Sequence, residues 1–215
     1  MKKVKIWDGA TRFFHWALVL NIFAAWYTIE NRLIDLHEIF GHCLIALLVF
    51  RVCWGLFGSS TARFKHFIVH PIVAFRYLKQ SLRLQVHHEV GHNPAGGWMI
   101  IIMILVIGFQ VISGLFSNND LGFSGALSDY VSKEMSDTLT QLHGVNFDIL
   151  VAIIWLHLVA VFFYVLVKKD NLIKTLLTGK KQLSKAPETP LYFAHFGLGL
   201  ILMLVAAAFS YWLML

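Results

Sequence analysis

Apolar residues are gathered into five long runs along the 215 residues of the chain, and short polar segments separate the runs. A helix needs about 20 predominantly apolar residues to cross the hydrocarbon core of a bilayer. The runs cover residues 13–29, 38–57, 98–116, 145–167 and 191–215. This pattern predicts an all-α integral membrane protein with five transmembrane helices.

Composition supports the bilayer over a large water-soluble core. The chain is 58% hydrophobic and only 14% charged, whereas about a quarter of the residues of a soluble domain are charged. The net charge of +6 matters in a membrane protein through its distribution between the two sides, and by itself it does not indicate nucleic-acid binding.

Lysine and arginine are distributed unevenly between the polar segments. The N-terminal segment and the loops after the second and fourth runs are basic, whereas the other two links are poor in cations. Because cytoplasmic loops carry the excess of Lys and Arg, we expect the N-terminus and the two basic loops to lie in the cytoplasm, and the C-terminus to lie on the outer side of the membrane.

Part of the first basic loop resembles a surface helix. The stretch HPIVAFRYLKQSLRL places Pro71 at a first helical position and mixes apolar with basic residues at helical spacing. It predicts a helix that lies on the inner leaflet, and an ordinary connecting helix is the alternative.

Four of the eleven histidines lie where a transmembrane site would need them. His143 lies at the outer start of the fourth span and His157 lies deep in the same helix. Fourteen residues of helix leave their side chains about 40° apart around the axis and about 21 Å apart along it. His37, at the outer start of the second run, matches the depth of His143. His15, at the inner start of the first run, matches the depth of His157.

Two pairs of histidines at two depths suit two haems stacked across the membrane. Neutral imidazole is a good iron ligand, and a haem with both axial positions filled by protein carries electrons rather than binding oxygen. We therefore expect His15 and His157 to bind the iron of an inner haem b, and His37 and His143 that of an outer one. Histidines hydrogen-bonded at helix ends are the alternative.

Two further residues bear on this arrangement. Arg51 lies fourteen residues after His37, on the same side of the helix, where its guanidinium would offset the charge of haem propionates; snorkelling to the cytoplasmic interface is the other interpretation. His42 is a rival to His37 as a ligand, although it faces about 140° away around the helix.

The segment HEVGH, formed by residues 88–92, matches the zinc-protease motif H-E-x-x-H. That motif works on a helix, where both histidines share one face. Gly91 inside it and Pro94 shortly after it disfavour a helix, and the sequence shows no third ligand. A turn leading into the third run, with Asn-Pro and Gly-Gly as helix breakers, is the favoured interpretation.

With these residues identified, the chain resembles the bacterial di-haem cytochrome b family. This family includes the cytochrome b subunit of nickel–iron hydrogenases and small quinone-linked membrane cytochromes b. The matching segments occur in family order, and they are WDGATRFFHW, LHEIFGH, FRVCWGLFGS, ARF, GHNPAGG, GLF, LHG, LHL and NLIKTLLTGKK.

The resemblance implies a four-helix haem-binding bundle over residues 1–181, followed by a linker and an additional transmembrane helix over residues 182–215. It also places the axial ligands at His15, His37, His143 and His157, and it implies a multi-pass protein of the bacterial inner membrane with its C-terminus in the periplasm. The family often has tyrosine where this chain has His42, and the fifth helix lies beyond the four-helix core.

The expected function is electron transfer through two b haems between the quinone pool and a periplasmic redox partner, such as a cytochrome c or a hydrogenase-like subunit. The acidic outer loop would suit a basic partner. One alternative is an enzyme that oxidises a small species such as superoxide with quinone as acceptor. A membrane zinc protease that uses His88, Glu89 and His92 is a remote alternative.

Overall fold

The computed structural model describes residues 2–81, 90–120, 122–183, 187 and 189–214. Short 3-10 turns lie at Ser60–Ala62 and Ser128–Tyr130. The helices and strands, in chain order, are β1 (Lys2–Lys5), α1 (Gly9–Glu30), α2 (Ile34–Phe57), α3 (Phe64–Phe67), α4 (Pro71–Ser81), α5 (Pro94–Leu115), α6 (Lys133–Leu166), α7 (Leu172–Thr178), β2 (Lys180–Leu183) and α8 (Phe196–Trp212).

Three of the described helices, α2, α5 and α6, are long and apolar enough to cross a membrane. Helix α8 is apolar but shorter, with 17 residues. Helix α1 covers the first apolar run with 22 residues. The chain is therefore a mostly helical, multi-pass membrane protein, and the division into four core spans and a fifth helix stays a prediction.

The fourth apolar run forms only the C-terminal part of a much longer helix, α6. Helix α6 starts at Lys133 and has 34 residues, so the helix begins ten residues before His143, whose place at the outer start of the membrane span stays a prediction. The first turns of α6 are polar and bind the preceding loop. There, Asn118 donates from Nδ2 to Ser136 Oγ at 2.6 Å and from its backbone N–H to Thr140 Oγ1 at 3.0 Å.

The helices of the third and fifth apolar runs, α5 and α8, start within five residues of the predicted runs, and local contacts fix both starts. Pro94 begins α5 rather than breaking it, and Asn93 Oδ1 caps the helix by accepting the N–H of Gly96 at 2.7 Å. Helix α8 starts at Phe196, since the residues before it are extended and paired with Ser60. The N–H of Tyr192 donates to Ser60 Oγ, and its carbonyl accepts the N–H of Ser60, both at 2.9 Å.

The described residues form two compact units, which share several helices. The first contains residues 1–13, 52–102 and 154–200, and the second contains residues 14–51, 103–153 and 201–215.

A two-stranded antiparallel sheet in the first unit corrects the all-α prediction. Strand β1 pairs with β2 in a register that places Lys2 opposite Leu183 and Lys5 opposite Lys180. The two strands are lysine-rich and only four residues long, so the apolar pattern did not reveal them. Ile6, Trp7 and Leu183 form a small buried core beneath the sheet.

Gly179 makes this pairing possible. It ends α7 in the left-handed conformation with φ of 72°, which glycine adopts without steric cost. Its carbonyl accepts the N–H groups of Ile6 and Trp7 at 2.7 and 3.1 Å. A side chain here would also lie 2.7 Å from the Trp7 carbonyl, so the site requires glycine on both grounds.

A buried ion pair joins strand β2 to the loop between α6 and α7. Lys181 Nζ lies 2.6 Å from Asp170 Oδ2, and the two side chains are only 7% and 10% exposed. When one charge of a buried pair is deleted, the other charge stays buried without a partner. Its desolvation penalty is then no longer offset, and the protein is strongly destabilised.

We expect Asp170→Ala to destabilise the β1–β2 sheet by about 3 kcal/mol, since it takes the carboxylate away from a buried ammonium. Hydrogen exchange of the backbone amides of both strands measures the local opening free energy. Asp129→Ala, at an exposed carboxylate, is the control and should leave exchange unchanged. The apolar double variant Asp170→Leu/Lys181→Met should recover much of the loss; equal exchange in Asp170→Ala and the native protein would contradict the assigned role.

Helix α4 confirms the helix predicted after Pro71. Ala74 and Ser81 are buried, whereas Ile72 and Phe75 are 60% and 72% exposed. Tyr77 is fixed on the inward side by a 3.1 Å hydrogen bond between its hydroxyl and that of Tyr164. The outward side therefore combines large apolar side chains with Arg76 and Lys79, as expected of a helix on a membrane surface.

Candidate functional site

His37 and His143 meet within the second unit. Their ring centres are 6.3 Å apart, and the ring planes are inclined by 85°. His37 lies in the first turn of α2, and His143 lies almost three turns inside α6. The structure thus brings together the two residues that depth matching had paired as ligands of the outer haem.

Backbone carbonyls fix which nitrogen of each ring carries the proton. His37 Nδ1 lies 2.8 Å from the carbonyl oxygen of Ala25, and His143 Nδ1 lies 2.9 Å from that of Gln110. Since a carbonyl only accepts, each Nδ1 is the donor and each Nε2 keeps its lone pair. A histidine that ligates a metal commonly donates its other ring N–H to such a partner.

The spacing of the rings also fits a shared metal. Imidazole nitrogens bind metal ions at about 2 Å, so two rings on opposite sides of one ion have their centres roughly 6 Å apart. The 6.3 Å between the centres of His37 and His143 agrees with this value. The donor set and the distance between the ring centres therefore fit a bis-histidine haem iron.

Gly114 leaves the space that the His143 ring occupies. A Cβ atom at position 114 would lie 3.1 Å from Cε1 and 3.4 Å from Nδ1 of His143. Contacts this short require the neighbour to move, and the imidazole is already held by Gln110 and Ser113. A glycine on α5 is thus part of what positions the ring on α6.

Two amide side chains complete the surroundings of His143, and the sequence interpretation missed both. Gln110 and Asn146 are buried inside α5 and α6, and they connect to His143 through hydrogen bonds of 3.0 Å or less. The signal was present in the sequence, since carboxamides within transmembrane runs are costly and mark functional sites.

The other predicted pair is divided between the two units, so its pairing remains a prediction from the sequence. His15 belongs to the second unit and His157 to the first. Both side chains are half-buried. The ring of His15 lies 5.3 Å from that of Trp16, edge to face.

Arg51 is buried, with 5% of its surface exposed. Its guanidinium carbon lies 6.0 Å from the centre of the Phe14 ring, within the second unit. Protein groups therefore surround the guanidinium of Arg51. The side chain does not have the exposure that snorkelling to the aqueous interface would give it.

His42 is engaged by the C-terminal helix. Its Nδ1 lies 3.2 Å from the carbonyl of Ser210, and the Ser210 hydroxyl donates to the His42 carbonyl at 2.6 Å. These reciprocal bonds fasten α8 to α2 within the second unit. His42 thus has a packing role on a different side of α2 from the side on which His37 meets His143.

The segment HEVGH is only partly within the described residues, because residues 88 and 89 lie outside them. His92 packs between aromatic rings, with its centre 4.5 Å from that of Trp7 and 5.0 Å from that of Phe67. In the described part of the chain, no group of three or more His, Cys, Asp and Glu side chains is arranged to hold a metal ion.

Comparison with known families gave one match that covers most of the chain. The family model described as prokaryotic cytochrome b561 matches residues 6–179. The match includes all four predicted ligands, and it ends before α8. Comparison with curated proteins and with solved structures gave no significant match.

Proposed function

We propose a specific electron-transfer role for this chain, which belongs to the prokaryotic cytochrome b561 family and is therefore a multi-pass membrane cytochrome with haem b. In the proposal, two b haems connect the quinone pool with a periplasmic redox partner. The observation that carries it is the meeting of His37 with His143, whose Nε2 atoms are both left with lone pairs by carbonyls bound to Nδ1.

The proposed haem ligands are those of the sequence analysis. His37 and His143 would hold the outer iron, and His15 and His157 the inner one, with Arg51 close to the propionates of the latter. Bound haem supplies reversible one-electron chemistry. The chain's own part would be to supply two imidazoles to each iron and, at the outer site, to fix the tautomer of both rings through the carbonyls of Ala25 and Gln110.

Residues 1–181 would form the di-haem four-helix domain, and residues 182–215 a linker and a fifth helix. The family match ends at residue 179, close to this boundary. The bonds between His42 and Ser210 support a role for α8 in packing against the haem domain.

Charge supports the proposed orientation, with the N-terminus in the cytoplasm. Carboxylates are rare among the described residues of the first unit, where Asp8 accepts two hydrogen bonds from Thr11 and Asp170 pairs with Lys181. The cations of the same unit are Lys2, Lys3, Lys5, Arg12, Arg63, Lys65, Arg76, Lys79, Lys168, Lys169, Lys174, Lys180 and Lys181. Such an excess is typical of a cytoplasmic face.

The second unit carries the opposite balance. Its carboxylates are Glu30, Asp35, Glu38, Asp120, Asp129, Glu134, Asp137 and Asp148, whereas its only described cations are Arg32, Arg51 and Lys133. Lys133 is bound by two of these acids, with Nζ 2.7 Å from Asp120 and 2.5 Å from Asp137. The remaining negative charge would attract a cationic partner such as a basic cytochrome c and would repel superoxide, which disfavours that enzymatic alternative.

The cofactor content and the quinone reaction can be tested on the purified chain. We expect a haem assay to give two b haems per chain, and we expect the absorption spectrum to show low-spin iron that a short-chain quinol reduces. The low-spin spectrum follows from ligation of each iron by two imidazoles, the haem count follows from the two proposed histidine pairs, and the reduction follows from the proposed link to the quinone pool. The same measurement with the quinol omitted is the control.

Colourless protein, or zinc without haem, would contradict the proposal and favour the protease. A single haem per chain would remove the two-haem arrangement. Two haems that a chemical reductant reduces but quinol does not would refute the link to the quinone pool.

A further inference from the structure

Two carboxamide side chains lie next to each other inside the membrane-spanning part of the second unit. Gln110 on α5 is 8% exposed, and Asn146 on α6 is 7% exposed. Asn146 Nδ2 donates to Gln110 Oε1 at 2.6 Å and to the Val106 carbonyl at 3.0 Å. Uncompensated amides are expensive in hydrocarbon, and here the two amides satisfy each other in part.

The direction of these bonds determines what Gln110 offers to His143. Because Oε1 of Gln110 accepts from Asn146, the amide nitrogen is the atom that faces the imidazole. Gln110 Nε2 lies 3.0 Å from His143 Nε2. The opposite ring nitrogen, Nδ1, donates to the Gln110 carbonyl and lies 3.2 Å from Ser113 Oγ. Gln110 therefore donates to the lone pair of His143 Nε2.

That lone pair is the one that binds iron in the proposed function. A single lone pair serves either the amide proton or the metal, so the two interactions exclude each other. We infer that Gln110 is a positioning residue that competes with haem iron for His143 Nε2, and that Asn146 keeps its amide directed at the ring. The inference rests on the proposed ligation by His143.

The hydrogen bond from Gln110 has a physical purpose in the haem-free chain. The lone pair of a buried Nε2 without a donor would lose a hydrogen bond in a medium without water. Gln110 satisfies that nitrogen and supports the tautomer that ligation would require. On haem binding, His143 Nε2 would exchange the amide proton for the iron, while Oε1 of Gln110 would keep its bond to Asn146.

A purely structural role of Gln110 and Asn146 would predict a different effect of their replacement on haem binding. Buried amides also join transmembrane helices by hydrogen bonds, and Gln110 and Asn146 would do this between α5 and α6 whether or not His143 binds iron. Removal of such a contact weakens haem binding or leaves it unchanged. Removal of a competitor strengthens it.

The test is a titration with haemin of the full chain, made by haem-free cell-free synthesis into lipid nanodiscs and followed by absorbance. We expect Gln110→Met to lower the haemin concentration for half-loading of the outer site about five-fold, the effect of one ordinary hydrogen bond. Asn146→Leu should shift it in the same direction by less. The matched control is Asn21→Leu, because Asn21 is an amide of the same unit whose side chain donates to the Phe40 carbonyl at 2.8 Å instead of to His143; it should not shift the curve.

The outcomes separate this inference from the proposed function. Unchanged or weaker haem binding in Gln110→Met overturns the competition, and Asn146→Leu decides in the same way if Gln110→Met does not fold. A shifted midpoint potential of the fully loaded Gln110→Met protein also overturns it, since a displaced amide does not act on bound iron. If His143→Ala binds as much haem as the native chain, the proposed ligation itself fails.

Discussion

Under the proposed two-haem arrangement, replacing His37 by alanine is expected to reduce the haem content to about one per chain. A b-type haem has no covalent attachment, so the axial bonds supply much of its retention, and His143 alone cannot fill both positions. Loss of an outer-shell partner of a metal ligand already costs about 10–100-fold in affinity, and loss of the ligand itself should cost more. The haem assay and the reduced-minus-oxidised spectrum measure the result.

His42→Asn is the matched control for this experiment. His42 is five residues away on the same helix and is engaged with Ser210, so its replacement should loosen α8 and leave both haems in place. The reverse result, with haem lost in His42→Asn and retained in His37→Ala, would show that His42 is the ligand and that the pairing of His37 with His143 is structural.

Replacing His157 by alanine is expected to remove the inner haem and to leave most of the outer one. The reason is depth: His157 lies about 21 Å further along α6 than His143, too far for one haem to use both. The spectrum should therefore lose one of two components, and redox titration should show a single remaining transition.

His66→Ala serves as the control for His157→Ala, because His66 is an exposed histidine outside the long helices. It should leave both components of the spectrum unchanged. An unaltered spectrum and haem count in His157→Ala would refute the pairing of His157 with His15. Loss of both haems from a chain that remains folded would show that the two sites are not independent.

Much of the membrane architecture can be predicted from the sequence because apolar runs reflect the thickness of a bilayer. The third run anticipated α5 to within a few residues at each end, and Pro71 marked the start of α4. The start of α6 could not be found in this way. Its first turns bind a neighbouring loop through Ser136 and Thr140. The hydropathy of a segment does not indicate which polar contacts it makes with other segments.

Part of the candidate site could likewise be predicted from the sequence, and part of it could not. The fourteen-residue spacing from His143 to His157 is a local property of one helix, so depth and facing could be calculated from the number of residues. The roles of Gln110 and Asn146 could not, because each depends on which side chain a second helix presents at that height.

By itself the sequence determined the family and the apolar helices, and it predicted the sidedness of the charges and the two depths of the histidines, since each of these depends on composition or on spacing within a single segment. Only the tertiary structure decided that His37 meets His143, whereas His42 binds Ser210. It also decided that two short lysine-rich strands pair, and that the amide nitrogen of Gln110 faces Nε2 of His143. These are contacts between residues far apart in the chain, and their partners are chosen by packing rather than by local pattern.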